Sequence, residues 1–245
     1  MTTILKNIKA AVLAASLAGL GFAGTANAEA ANTRTKLLSA HFAPRKVVQV
    51  EVGDFHFKPG QVAPLHTHDA PAVGYVAKGG IIYQVGGEKP QVLREGDAFY
   101  EPTGKRILRF DNVSATEEAI FLDFNLEQKG EPFIVFEEKP KQAIDRRTLP
   151  TVKLASQIVD QVDIYASELA RGSTLQLNAH VPTLGLISEG VVELRVNGKQ
   201  TKRIVAGASF ALPIAGSQAT IVNASAEVPA KLVTFQLIAR GNLTN

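Results

Sequence analysis

The sequence predicts an all-β protein built as two tandem double-stranded β-barrels of jelly-roll type. Three observations predict it. The first is an internal repeat: Gly60, five residues, then His66-Thr67-His68 returns as Gly172, five residues, then Asn178-Ala179-His180, at an offset of 112. The offset then becomes 111 and holds, pairing Pro71 with Pro182, Gly74 with Gly185, Gly96 with Gly207, Pro102 with Pro213, Asn112 with Asn223 and Phe124 with Phe235. Gly, Pro and Asn set turns, so the two halves share turn geometry. The second observation is that the segments between turns are short, β-branched or aromatic, and often alternate, as strands do. The third is that no long stretch of 3.6-residue period follows residue 28. Small antiparallel sheets must hide their edges, and closing into a barrel does so.

In chain order, residues 1–28 read as a secretory signal. Lys6 and Lys9 precede an apolar and small-residue run over 10–24, and Ala26-Asn27-Ala28 supplies the small residues of a cleavage site. The run is shorter than the ~20 residues that span a bilayer. Cleavage after Ala28 is expected, leaving 217 of 245 residues, exported to a periplasm or the exterior and with no membrane span. The first module is expected over 35–136, with strands at 47–57, 81–85, 97–100 and 119–126. Residues 137–150 are charged and Pro-bounded and read as a linker. The second module covers 151–240, with strands at 158–170, 191–196, 209–212 and 231–238. Gly86-Gly87 and Asn197-Gly198 are hairpin-turn dipeptides.

Composition narrows the function. With no Cys, a zinc ribbon, an iron–sulfur centre and a cysteine nucleophile are excluded. The formal charge of +3 falls to +1 once the signal's two Lys are removed, and no basic cluster interleaved with aromatics remains, so nucleic acid is not an expected partner. No Gly-rich phosphate loop, Ser-His-Asp order or helix-borne His pair is present, so no nucleotide cofactor is expected. Asn112, Asn223 and Asn242 each open a glycosylation triplet, which matters only on a eukaryotic export route.

Residues 60–80 read GQVAPLHTHDAPAVGYVAKGG, and residues 96–112 read GDAFYEPTGKRILRFDN. These strings resemble the two motifs of the cupin superfamily. Gly60, His66, His68, Gly79, Gly96, Pro102, Gly104 and Asn112 fall on motif positions, and the repeat extends the likeness to a two-domain cupin, a bicupin. The resemblance implies a metal site of two His, one Glu and a third His. Here His66 and His68 match, Ala72 or Val73 stands in the Glu slot, and Ile107 stands in the late His slot. In the second half His180 matches, Asn178 replaces the first His, and Gln218 or Ala219 holds the late slot. That barrel is therefore expected to be metal-free, with Asn178 and His180 as the remnant of a site.

The residues themselves suggest how the first barrel completes its site. His66 and His68 on one strand point to the same face. Glu101 shares a face with Phe99, and the corresponding Phe210 and Leu212 mark that face as inward. A carboxylate there needs a partner. Glu101 is thus the candidate third ligand, with Asp111 a second choice; the alternative is that Glu101 pairs with Arg109 or Arg106. Two His and a carboxylate suit a divalent ion such as Fe, Mn, Zn or Ni. Phe99, Ile107 and Arg109 are candidate lining of a small-molecule pocket. His56 reads as packing or surface and His41 as exposed. The expected function is a metal-dependent dioxygenase, isomerase or lyase. The alternative is a non-catalytic ligand-binding or structural cupin with a vestigial site, in either case a candidate homo-oligomer.

Overall fold

The computed structural model describes residues 32–239. The expected signal, and Asn242, lie outside them. Among the described residues there is no helix. The first half supplies β1 (Thr33–Phe57), β2 (His66–Thr67), β3 (Ala72–Lys78), β4 (Gly80–Val85), β5 (Gln91–Arg94), β6 (Ala98–Glu101), β7 (Ile107–Asn112), β8 (Ala119–Glu127) and β9 (Val135–Phe136). The second supplies β10 (Asp145–Leu169), β11 (Thr174–Ala179), β12 (Thr183–Glu189), β13 (Val191–Val196), β14 (Lys202–Val205), β15 (Ser209–Leu212), β16 (Ser217–Asn223) and β17 (Ala230–Ile238).

One eight-stranded sheet spans both halves in the order β15-β12-β17-β10-β1-β8-β3-β6, and reads the same from either end under the repeat. A five-stranded sheet, β5-β4-β7-β2-β9, closes the first barrel, and a four-stranded sheet, β11-β16-β13-β14, closes the second. Strand alternation then makes three cores. On β8, Phe121 faces the first barrel's interior while Leu122, Phe124 and Leu126 face a core shared by the two halves. In that shared core Phe124 meets Phe235 at 4.2 Å between ring centroids. Leu169, Leu194, Phe210 and Ile221 fill the second barrel.

The first and tenth strands are longer than their alternation suggests. Each runs 25 residues, and their pairing carries four irregularities, between Lys36 and Leu38, His41 and Arg45, Val47 and Gln49, and Val50 and Val52. Each irregularity resets which side chains face inward, which erases a simple period-two pattern. They also exchange ends. Residues 33–41 pair with the stretch of β10 that joins β17, and residues 145–153 pair with the stretch of β1 that joins β8. The end of the expected linker, residues 145–150, is therefore strand, because β1 offers it a free edge.

The repeat extends to side chains. A Cβ on Gly74 would lie 2.0 Å from the Phe99 ring, and one on Gly185 would lie 2.1 Å from Phe210. Each aromatic ring sits flat where only Gly leaves room. The Asn112 amide donates to Phe57 O, Lys58 O and Glu117 O, and Asn223 repeats this with Leu169 O, Ala170 O and Val228 O. Both Asn are buried turn pins, not accessible glycosylation acceptors.

Candidate metal centre

Three side chains from two strands converge inside the first barrel. On β2 and the residue after it, the extended chain's period of two turns His66 and His68 inward and Thr67 outward. On β6 the same period turns Phe99 and Glu101 inward. His66, His68 and Glu101 are all at most 3% exposed, and each offers a ligand atom within 4.8 Å of the others. Glu101 Oε2 lies 3.1 Å from His68 Nε2, and Glu101 Oε1 lies 3.5 Å from His66 Nε2. Glu101 stands directly across from Ala72 in the β3–β6 ladder. The carboxylate missing from position 72 is thus supplied at the same level by the neighbouring strand. Ile107 is the cross-strand partner of His66 and fills the remaining slot with an apolar side chain.

The imidazoles are held from behind. His66 Nδ1 donates to Pro64 O at 2.8 Å, and His68 Nδ1 donates to Phe133 O at 2.9 Å. Such bonds fix ring orientation and leave each Nε2 to the interior, the arrangement usual for metal-bound imidazoles. The 3.1 Å approach of His68 to Glu101 is a charge contact rather than an aligned hydrogen bond. His68 Nε2 and Glu101 Oε1 are buried without a hydrogen-bond partner. Buried orphan donors and acceptors of this kind are costly, and a cation bound among them satisfies both. The donor set therefore fits a divalent transition metal.

Electrostatics favour charge separation in the metal-free centre. Burial alone would push the Glu101 carboxyl up, but the charges of His68 and His66 hold it down to about 2. Burial alone would depress His68, but Glu101 lifts it to about 9. Asp123 on β8 faces the same cavity, and burial followed by the Glu101 charge pushes its carboxyl up to about 8. Its Oδ1 has no hydrogen-bond partner.

The cavity beside the triad measures about 20 Å³, the room of one water molecule. Phe55, Phe57, Phe110 and Phe121 form its walls, and Ile134, Phe136 and Ile144 cover it. Of the expected pocket residues, Phe99 and Ile107 are instead in the aromatic and aliphatic core behind it. Phe99 is turned away by its packing on Gly74. Arg109 is on the outer face of β7, bonded to Asp111 at 2.7 Å, which also removes Asp111 as a ligand. Arg106 binds Glu137 on the surface, so neither Arg reaches Glu101. His56 packs between Asp54 and Glu118, and His41 is exposed.

The second barrel needs a correction of register. Leu177 pairs with Ala219 as His66 pairs with Ile107, and Leu175, Leu177 and Ala179 face inward. The one-residue gap of the repeat therefore falls between Gly60 and His66, and the triad corresponds to Leu177, Ala179 and Leu212. Asn178 and His180 are exposed and are no remnant of a site. Asp123 and the covering residues 133–144 were not singled out by the sequence. The signal for Asp123 was present, since alternation along 119–126 puts it on the inward face of Phe121.

Residues 53–125 match the family model described as a cupin domain. No curated protein sequence matches the chain. Solved structures match its fold. AerE from Microcystis aeruginosa is 14% identical with a TM-score of 0.56, over 81% of this chain and 99% of that one. Salicylate 1,2-dioxygenase from Pseudaminobacter salicylatoxidans is 15% identical with a TM-score of 0.55, over 78% and 71%. Vicilin from Capsicum annuum is 13% identical with a TM-score of 0.61, over 79% and 77%. Residues 53–125 are thus a cupin domain, and the second barrel repeats its architecture.

Proposed function

We propose that the first barrel is a mononuclear metal centre acting on a small molecule, and that dioxygenase chemistry is the reaction class it serves best. The convergence of His66, His68 and Glu101, with both Nδ1 atoms tied to carbonyls, carries this reading. Two His and one carboxylate are the donor set of non-haem Fe(II) oxygenases, with Mn, Zn and Ni as other occupants. Bound there, the metal supplies Lewis-acid polarisation of a substrate oxygen and, as iron, one-electron chemistry. Glu101 offsets part of the cation's charge. The four Phe walls exclude water and pack an apolar substrate body, and Asp123 stands ready to hold a proton beside it. That a salicylate dioxygenase shares the two-barrel architecture supports this class; isomerase or lyase chemistry uses the same donors. Export through cleavage after Ala28 belongs to the same reading and rests on residues 1–28 alone; intact mass of the exported protein tests it.

Reconstitution of the purified protein with Fe(II) under anaerobic conditions, followed by elemental analysis, tests the centre. About one metal per chain is expected, falling to near zero in His66→Ala and His68→Ala. Wild-type stoichiometry near zero overturns the reading.

The apolar Ile107 in the slot of a fourth ligand favours one second reading, a non-catalytic binding module. A thermal-shift screen separates the two: ligand stabilisation that survives chelator supports the module.

A further inference from the structure

The described cavity has a cover, and the cover is a strap of the chain with few ties. Residues 128–144 leave β8, cross the mouth of the first barrel and enter β10 with only the two-residue β9 as regular structure. Ile134, Phe136 and Ile144 lie against the cavity. The near end is anchored: Phe133 is buried, its carbonyl accepts from His68 and from Asn125 at 3.1 Å, and Arg146 stacks 3.7 Å over its ring. Beyond Phe133 the ties are sparse. The polar ties are the β9 pairing with β2, Glu137 N to Leu65 O, Gln61 to Ala143 O at 3.4 Å, and the half-exposed Arg106–Glu137 pair; Phe136 adds an edge contact to the His66 ring, and Ile134 and Ile144 pack on the barrel core. That pair is bidentate, at 2.6 and 2.7 Å, but lies in solvent, where salt screens it.

The strap's hold on β2 has a consequence for the His pair. Strand β2 has three register pairs in all. One, His66 with Ile107, comes from β7, and two, His66 with Phe136 and Thr67 with Val135, come from the strap. With the strap lifted, β2, which carries His66 and leads into His68, keeps a single register pair, while His68 is still tied through its carbonyl to Gly104 N. A cavity of about 20 Å³ admits nothing larger than water while the strap is down.

We propose that residues 134–144 are a gate, hinged after Phe133, whose opening admits ligand and loosens β2, and whose closure sets His66 and His68 in place. Sparse backbone bonding and low contact density are the features of segments that open locally. The gate itself stands on geometry alone; only its effect on metal release rests on the metal reading above.

The chain has no Cys, so a lock can be introduced cleanly. Thr67 and Val135 face each other across β2–β9, and a Thr67→Cys/Val135→Cys pair falls at the spacing a disulfide spans. The probe is diethyl pyrocarbonate on the metal-free protein, with each His followed by mass spectrometry. Exposed His41 and His180 are internal controls. The oxidised lock is expected to slow modification of His66 and His68 by about tenfold or more, with the controls unchanged and the reduced variant near wild type. Equal rates in the locked and wild-type proteins overturn the gate. As a second variant, Glu137→Gln should speed modification of the same two His by about two- to fivefold; failure of both variants to change these rates overturns it as well. Retention of cobalt(II) against chelator then reports separately on the metal. No cobalt bound by wild type counts against the proposed function, while the His modification rates still decide the gate.

Discussion

Glu101 sits between two imidazoles at a depth where an isolated carboxylate would be neutral, so its neighbours set the protonation of the whole cluster. His68 is lifted to about 9 by Glu101, which means the folded metal-free protein keeps a proton that the unfolded chain gives up near 6.5. That contribution to stability is fully present below about 6.5 and is lost as pH rises through about 9. Asp123, held near 8 against an ordinary 3.8, acts in the same direction over its own window. Urea denaturation of the metal-free protein should therefore show stability falling by on the order of 1–3 kcal/mol between pH 6 and pH 9.5. Glu101→Gln should remove the His68 part of that slope, because His68 then falls back towards or below its ordinary value, and leave the part that burial of Asp123 contributes. Glu101 is depressed, so its own contribution is present above about 4.5 and fades as pH falls towards 2. The inward direction of Glu101 was legible from Phe99 and Leu212, since alternation within a four-residue strand is local. Asn178 and His180 misled because a one-residue gap moves every side chain after it to the opposite face.

Among the elements, β3 and β6 show how sequence spacing becomes site geometry. Gly74 lets Phe99 lie against the sheet, and that packing fixes the strand on which Glu101 is presented two residues later. The ring is boxed by Tyr83, Phe110 and Phe121, with centroids 5.2–6.2 Å away, so it has little room to yield. Gly74→Ala should cost about 1–3 kcal/mol by chemical denaturation and should weaken metal retention, since Glu101 moves with the strand. The strap is the contrasting case. Its residues carry no periodicity, because they take their conformation from the barrel mouth they cross rather than from a ladder of their own. Its charged, Pro-containing composition is that of an ordinary linker, so a covering role was not legible before the fold was known. The first half of β1 was hidden for a different reason: two irregularities, between Lys36 and Leu38 and between His41 and Arg45, break the alternation by which strands are read.

For the whole molecule, the shared core and the exchanged strand ends make the two barrels one folding unit. Phe124 and Phe235 face each other in that core, each fully buried. Calorimetry should record one cooperative transition rather than two. Phe124→Ala should lower stability by about 3–5 kcal/mol while leaving the transition single; two resolved transitions would contradict the shared unit. The overall architecture was legible because repeated Gly, Pro and Asn positions mark turns wherever they occur. The exchange was not, because it depends on which of two equivalent edges each long strand meets. It also bears on why a barrel with Leu177, Ala179 and Leu212 in place of polar ligands accompanies the one with the triad. Residues 33–41 complete the second barrel's sheet and residues 145–153 complete the first, so each half holds a piece of the other's wall. The second barrel is a brace that the first cannot discard: truncation after the strap would open the sheet beside β1 and leave the strand next to β8 as a raw edge. A break within the strap, by contrast, would leave two fragments that each keep the other's missing strand and so remain clasped.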